Sequence, residues 1–161
     1  MDSNSLPILD FSQQDGLAES LLHACRNYGF FYLTNHGVSS ELIEDVFEQS
    51  KAFFSLPLEN KMECLVDKNG RGYTRMREEK LDPSMQTIGD TKEGYYIGRE
   101  SDKNLPLHGA NQWPSKVLLP RWREVMVRLW TLILLFRLSP SLFIYVTTSV
   151  TGAPLLVIIA N

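Results

Sequence analysis

Cysteine is nearly absent from this chain: Cys25 and Cys64 are the only two, with no Cys-x-x-Cys between them. That excludes a disulfide framework, and with just three histidines at no ligand spacing it also argues against a structural zinc site. Blocks of one charge are missing too. The 16 basic and 19 acidic residues are mixed along the chain for a net charge of −3, which excludes an electrostatic nucleic-acid surface, so no nucleic-acid partner is expected. The first residues, Met1-Asp2-Ser3-Asn4-Ser5, lack the basic stretch and apolar run of an export signal. Reduced thiols and a cytoplasmic location are therefore expected. What is present is ordinary: 161 residues, 43% hydrophobic and 22% charged, enough to bury one core.

The periodicities give an alternation of helices and strands. Leu6 to Phe11 (LPILDF) reads as an edge strand. Leu17, Leu21, Leu22, Cys25 and Tyr28 recur at helical spacing, with Gly29 at the C-cap position. Cys25 on that stripe is expected to behave as a small buried hydrophobe. Phe30 to Leu33 reads as a buried strand running into the turn Asn35-His36-Gly37. A second helix, capped by Ser39, carries Leu42, Ile43, Val46, Phe47, Phe53 and Phe54. Pro57 ends it and opens a short helix with Glu59, Lys61 and Met62. Gly72 to Thr74 and Gly94 to Ile97 are strand-like pieces between turns. A third helix begins near Pro120 and carries Trp122, Val125, Met126 and Leu129.

From Leu129 onward the character changes, and Arg137 is the only charged residue to the end. Neither the helix nor the strand period survives there. The domain reading is accordingly 1–128 as one domain and 129–161 as a divergent hydrophobic tail. An apolar extension without a native role is favoured for the tail. A membrane anchor is disfavoured by Pro140, Gly152 and Pro154, and pairing of Leu155 to Ala160 with the sheet ranks last.

Taken in order, LPILDF, ACRNYGFFYLTNHGVS, SKAFFSLPLENKM, RGYT, GDTKEGYYIGRE, PLHGANQWP and LPRWREVM closely resemble the N-terminal part of plant-type 2-oxoglutarate/Fe(II)-dependent dioxygenases, the isopenicillin-N-synthase-like group. The resemblance covers roughly residues 6–128 and rests on many blocks in one order. It implies an α/β (α+β) N-terminal region of the isopenicillin-N-synthase-like fold, with the double-stranded β-helix core largely absent. It also implies Fe(II) and 2-oxoglutarate as cofactors of the full-length family, ascorbate as a supporting reductant, and a small-molecule substrate. The family holds iron with a His-x-Asp and a distant His. Here His23, His36 and His108 are followed two places on by Cys25, Val38 and Ala110. The Arg-x-Ser matches, Arg99-Glu100-Ser101 and Arg137-Leu138-Ser139, follow no triad. No catalytic, cofactor-binding or metal-binding residue is therefore expected in this chain, and catalytic inactivity on its own is expected.

His36 is read as a turn residue whose ring bonds locally while Gly37 supplies the unusual backbone angles. His23 and His108 are read as solvated. In a complete enzyme, Tyr95 and Ile97 of the KEGYYIG strand and Arg71 of RGYT are the candidates for the rim of the substrate pocket. For Arg71 a salt bridge to Glu78 or Glu79 is the favoured alternative. A second function class is a non-enzymatic fragment that pairs with a full-length paralogue through an exposed sheet edge.

Overall fold

A computed structural model describes residues 6–13, 15–29, 31–80, 82, 84, 85, 87–101, 108–135, 142–149 and 154–160. Its mixed helices and strands agree with the α/β expectation, and they group into two units, Met1–Ser39 and Ser40–Asn161.

The first unit is a β-α-β crossover. Strands β1 (Ile8–Asp10) and β2 (Tyr32–Thr34) run parallel in the register Ile8 to Tyr32, Leu9 to Leu33 and Asp10 to Thr34. Helix α1 (Leu17–Asn27) joins them and ends as its sequence predicts, the N–H groups of Tyr28 and Gly29 both donating to the Ala24 carbonyl at 3.0 Å. Two readings are corrected here. Tyr32 is 61% exposed and Cys25 is exposed, where a buried strand and a buried thiol are expected from the sequence. Three short elements bury only Leu9 and Ala24, and Cys25, one residue past Ala24, is turned about 100° away around the helix. Phe30, the start of the expected strand, lies outside the described residues.

In the second unit the helical periods hold. Helix α2 (Ser40–Phe54) buries Leu42, Val46 and Phe53, and helix α4 (Trp122–Leu135) buries Trp122, Val125, Met126 and Leu129. The short helix α3 (Leu58–Met62) starts directly after Pro57. Strands β3 (Gly72–Thr74), β4 (Lys92–Ile97), β5 (Leu142–Ser149) and β6 (Pro154–Ala160) form one antiparallel sheet in that order. Phe53 is the hub of the core. Its ring centroid lies 4.8 Å from Trp122, 4.9 Å from Tyr95 and 5.8 Å from Tyr73, the tilted and edge-on arrangements that aromatic quadrupoles favour.

The tail departs from its sequence reading. Helix α4 continues through residue 128 to Leu135, and β5 and β6 join the sheet, the alternative ranked last. The reason lies in β4, whose edge offers backbone donors and acceptors that must be paired. A charge-free segment rich in β-branched and aromatic residues, LFIYVTTS, meets that need without any alternation of polarity. Among the described residues no helix is long and apolar enough to cross a membrane.

Phe53→Ala is expected to lower unfolding free energy by about 3–5 kcal/mol, against less than about 1 kcal/mol for Phe47→Ala on the same helix, by urea denaturation. Phe53 is fully buried whereas Phe47 is 37% exposed.

Candidate functional site

Alternation along β4 sorts its side chains onto two faces. Glu93, Tyr95 and Ile97 are buried on the side of Phe53 and Trp122, together with Tyr73 of β3. Lys92, Gly94 and Tyr96 fall on the other face with their cross-strand partners Gly72 and Thr74.

The core face carries a buried ionic cluster. Lys61 of α3 donates from Nζ to Glu93 Oε2 at 2.8 Å, to Oε1 at 3.1 Å and to the Phe54 carbonyl at 3.2 Å. The Tyr73 hydroxyl donates to the same Glu93 carboxylate, and Nζ lies 5.5 Å from the centre of the Tyr73 ring. Burial first, then the Glu93 carboxylate, push the Tyr73 phenol well above its ordinary value. Sequence reading missed this cluster, although one signal was present: Glu93 stands in phase with Tyr95 and Ile97 on a strand whose other in-phase residues are apolar or aromatic.

On the opposite face the polar centre is Glu79, from the loop between β3 and β4. Its Oε1 accepts from Tyr96 Oη at 2.9 Å and Thr74 Oγ1 at 3.1 Å, and its Oε2 lies 2.8 Å from Lys92 Nζ. Burial alone would raise this carboxyl, but Lys92, Tyr96 and Thr74 outweigh it and hold Glu79 below the ordinary glutamate value.

The residues singled out from sequence are placed as follows. Tyr95 is fully buried and donates its hydroxyl to the Gln112 carbonyl, and Ile97 is buried beside it. Arg71 is buried, with its guanidinium against Gly98; a Cβ on that glycine would lie 2.5 Å from Arg71 Cζ. The salt bridge expected for Arg71 is corrected: Glu78 is paired with Arg75 at 3.2 Å and Glu79 with Lys92. Arg71 precedes β3 and so lies beside the end of β4, whereas Glu78 and Glu79 follow β3 at its other end. Burial lowers the Arg71 value and Asp67 opposes that shift.

Beyond Gly98 the chain is held by a clasp. Asn111 accepts from the Gly98 N–H at 2.9 Å through Oδ1 and donates Nδ2 to the Gly98 carbonyl at 2.8 Å. Glu100 accepts from the Trp113 indole N–H at 3.0 Å, and Arg123 stacks 5.3 Å from the Trp113 ring. The GYYIGRE and ANQWP blocks thus meet in space as a structural fastening.

The donor set does not fit iron. His36 Nδ1 accepts from the Val38 N–H at 3.2 Å, in a turn where Asn35 and Gly37 both take positive φ. His23 is exposed on α1 and His108 is exposed in a loop. Among the described residues, no three His, Cys, Asp or Glu side chains are grouped to hold a metal ion. Of the two Arg-x-Ser matches, Arg99 is exposed, and Arg137-Leu138-Ser139 lies outside the described residues.

Comparison with known proteins gives a consistent picture. Residues 6–116 match the family model described as "non-haem dioxygenase in morphine synthesis N-terminal". The chain is 37% identical to azadirone synthase of Melia azedarach over 76% of its own length and 39% of that protein. It is 39% identical to a 2-oxoglutarate-Fe(II) type oxidoreductase of Emericella nidulans over 69% of its length and 36% of the relative. The chain therefore spans little more than a third of such relatives. Among solved structures, a full-length Neurospora crassa protein in complex with alpha-KG superposes with TM-score 0.68 and 25% identity, over 91% of this chain and 56% of that one. JOX2 in complex with 2OG, Fe and JA shares the fold at TM-score 0.61 and 23% identity, over 88% and 47% of the two chains.

Two outcomes test these clusters. Lys61→Met strands the buried Glu93 carboxylate and is expected to cost about 3–5 kcal/mol in urea unfolding, with Lys61→Met/Glu93→Gln losing less than the single change. Because the Glu79 value is lowered on folding, Glu79 stabilises the protein above the unfolded glutamate value of about 4.3 and ceases to as pH falls through the lower folded value. The stability difference between wild type and Glu79→Gln is thus expected to be full at neutral pH and to shrink on acidification through that window.

Proposed function

This chain belongs to the 2-oxoglutarate/Fe(II) non-haem dioxygenase family, whose N-terminal domain it carries, and on that premise we propose that it is the scaffold portion of an oxidoreductase acting on a small organic substrate. In the complete family member, that oxidation is coupled to decarboxylation of 2-oxoglutarate to succinate and CO₂, with Fe(II) as the metal and ascorbate as supporting reductant. The 161-residue chain alone is inactive in this proposal. The observation that carries it is the engagement of His36 Nδ1 by its own turn, in a chain where no histidine is followed two places on by Asp or Glu. A facial triad needs two histidines and a carboxylate converging on one point.

The substrate class follows from the family, with relatives of printed activities such as azadirone synthase and with complexes such as that of JOX2 with JA as its support. Arg71, Tyr95 and Ile97 contribute to the pocket rim by positioning in this reading. All three are buried, and they set the place of β4, whose opposite face bears Tyr96 and Lys92. The division into 1–128 and a separate tail is kept as a statement about sequence character, since α4 crosses that boundary. Cytoplasmic residence is proposed from the two free thiols. A second reading, a fragment that pairs with a full-length paralogue, is supported by β6, which among the described residues pairs with a strand on one side only.

Anaerobic isothermal titration of Fe(II) and 2-oxoglutarate into the chain, beside a full-length relative as positive control, tests the proposal. No saturable heat from the chain is expected. Binding near one equivalent would overturn the inactivity reading and point to His23, His36 or His108.

A further inference from the structure

Asn69-Gly70 is the only Asn-Gly pair in the chain, and it lies between α3 and β3. An asparagine followed by glycine carries its own reaction. The next backbone nitrogen can attack the side-chain amide carbon, and glycine, which has no Cβ, hinders that approach least.

In this structure one residue holds both reacting groups. The Gly70 N–H donates to the Asp67 carbonyl at 3.0 Å, and Asn69 Nδ2 donates to Asp67 Oδ2 at 3.1 Å. Asp67 Oδ1 also accepts from the N–H groups of Asn69 at 2.9 Å and Arg71 at 3.1 Å. On its far side the Asn69 amide lies against Gly109, where a Cβ would come within 2.5 Å of Nδ2. While these contacts stand, the Gly70 nitrogen keeps its proton and the amide is not free to turn toward it. They belong to a half-buried turn with Lys68 exposed at its tip, and segments of that kind open far more readily than a core.

We propose that Asn69 is a site of deamidation and that Asp67 sets its rate, the reaction proceeding when the turn opens. The Gly70 nitrogen gives its proton to solvent and bonds to Asn69 Cγ, the Cγ–Nδ2 bond breaks, and Nδ2 leaves as ammonia. Water then opens the imide ring at either carbonyl, giving aspartate or its β-linked isomer. One water is consumed and one ammonia released, with no change of oxidation state. Neither product fits the closed turn. Aspartate puts an acceptor-only carboxylate where Nδ2 donates to Asp67, and the isomer moves a methylene into the main chain between Asp67 and Arg71. Deamidation therefore loosens the strip beside β3, in which the Tyr73 N–H donates to the Cys64 carbonyl and the Val66 N–H to the Tyr73 carbonyl, each at 2.8 Å.

Peptide mapping by mass spectrometry after incubation at mildly alkaline pH reads conversion at residue 69. The folded chain is expected to convert about tenfold or more slowly than the same chain in urea. Folding is expected to slow amide exchange at Gly70 by the same factor, since both processes need that N–H released. Asp67→Ala is expected to bring the folded rate close to the rate in urea, with circular dichroism checking that the helices are retained, and Asn69→Asp is expected to lower the urea midpoint. Equal rates for the folded and urea-unfolded chain overturn the proposal, as does a folded Asp67→Ala chain that converts as slowly as wild type. If Asp67→Ala does not fold, the wild-type comparison decides: deamidation slowed by a different factor from Gly70 exchange overturns the gating by this turn.

Discussion

A carboxylate cannot be left alone in an apolar interior, and the position of Glu93 makes this the constraint on which the larger unit depends. The two-residue period of β4 puts Glu93 on the same face as Tyr95 and Ile97, so burying those two buries the carboxylate with them. The cost of desolvation is met from two directions, by Lys61 delivered from α3 and by the Tyr73 hydroxyl from β3. Pro57 is what allows the first: it ends one helix and starts a second whose one and a half turns carry Lys61 back under the sheet. Helix break, strand phase and cross-strand register are thereby locked to a single ion pair.

This dependence explains what could be read in the sequence. Helices α2, α3 and α4 and the short strands β3 and β4 were legible because local spacing and proline specify them. The Lys61–Glu93 pair was not, since it needs the register that sets Gly72 opposite Tyr96, and no local period encodes a pairing across so long a loop. Arg71 was assigned the wrong partners for the same reason. Strand β5 escaped detection, and pairing of Leu155 to Ala160 in β6 was ranked last, because their text carries no alternation; such strands are defined by the edge they meet, not by their own pattern. Cys25 shows the reverse error, where an apolar stripe was taken as burial although the unit around it is too small to cover that face.

The blocks that reveal the family turn out to be fasteners. Asn35-His36-Gly37 closes its own turn, Asn111 mimics a strand partner for Gly98, and Trp113 is held by Glu100 and Arg123. His36 and Asn111 hold backbone groups, and Trp113 is fastened side chain to side chain. Family membership is therefore carried here by architecture, and the chemistry of the family is argued from relatives instead of from a site in this chain.

The order of strands in the sheet also fixes how far along the chain each pairing must reach. β5 meets β6 across a short stretch of chain and β3 meets β4 across a longer loop, whereas β4 reaches β5 only after the whole of α4 and its flanking segments have been spanned. Closing that long loop is the step with the largest entropic cost. The β4–β5 pairing is thus the most non-local contact of this sheet, the kind of contact that slows folding. During synthesis from the N-terminus, β4 emerges with its inner edge bare, and it stays so until the ribosome has delivered β5.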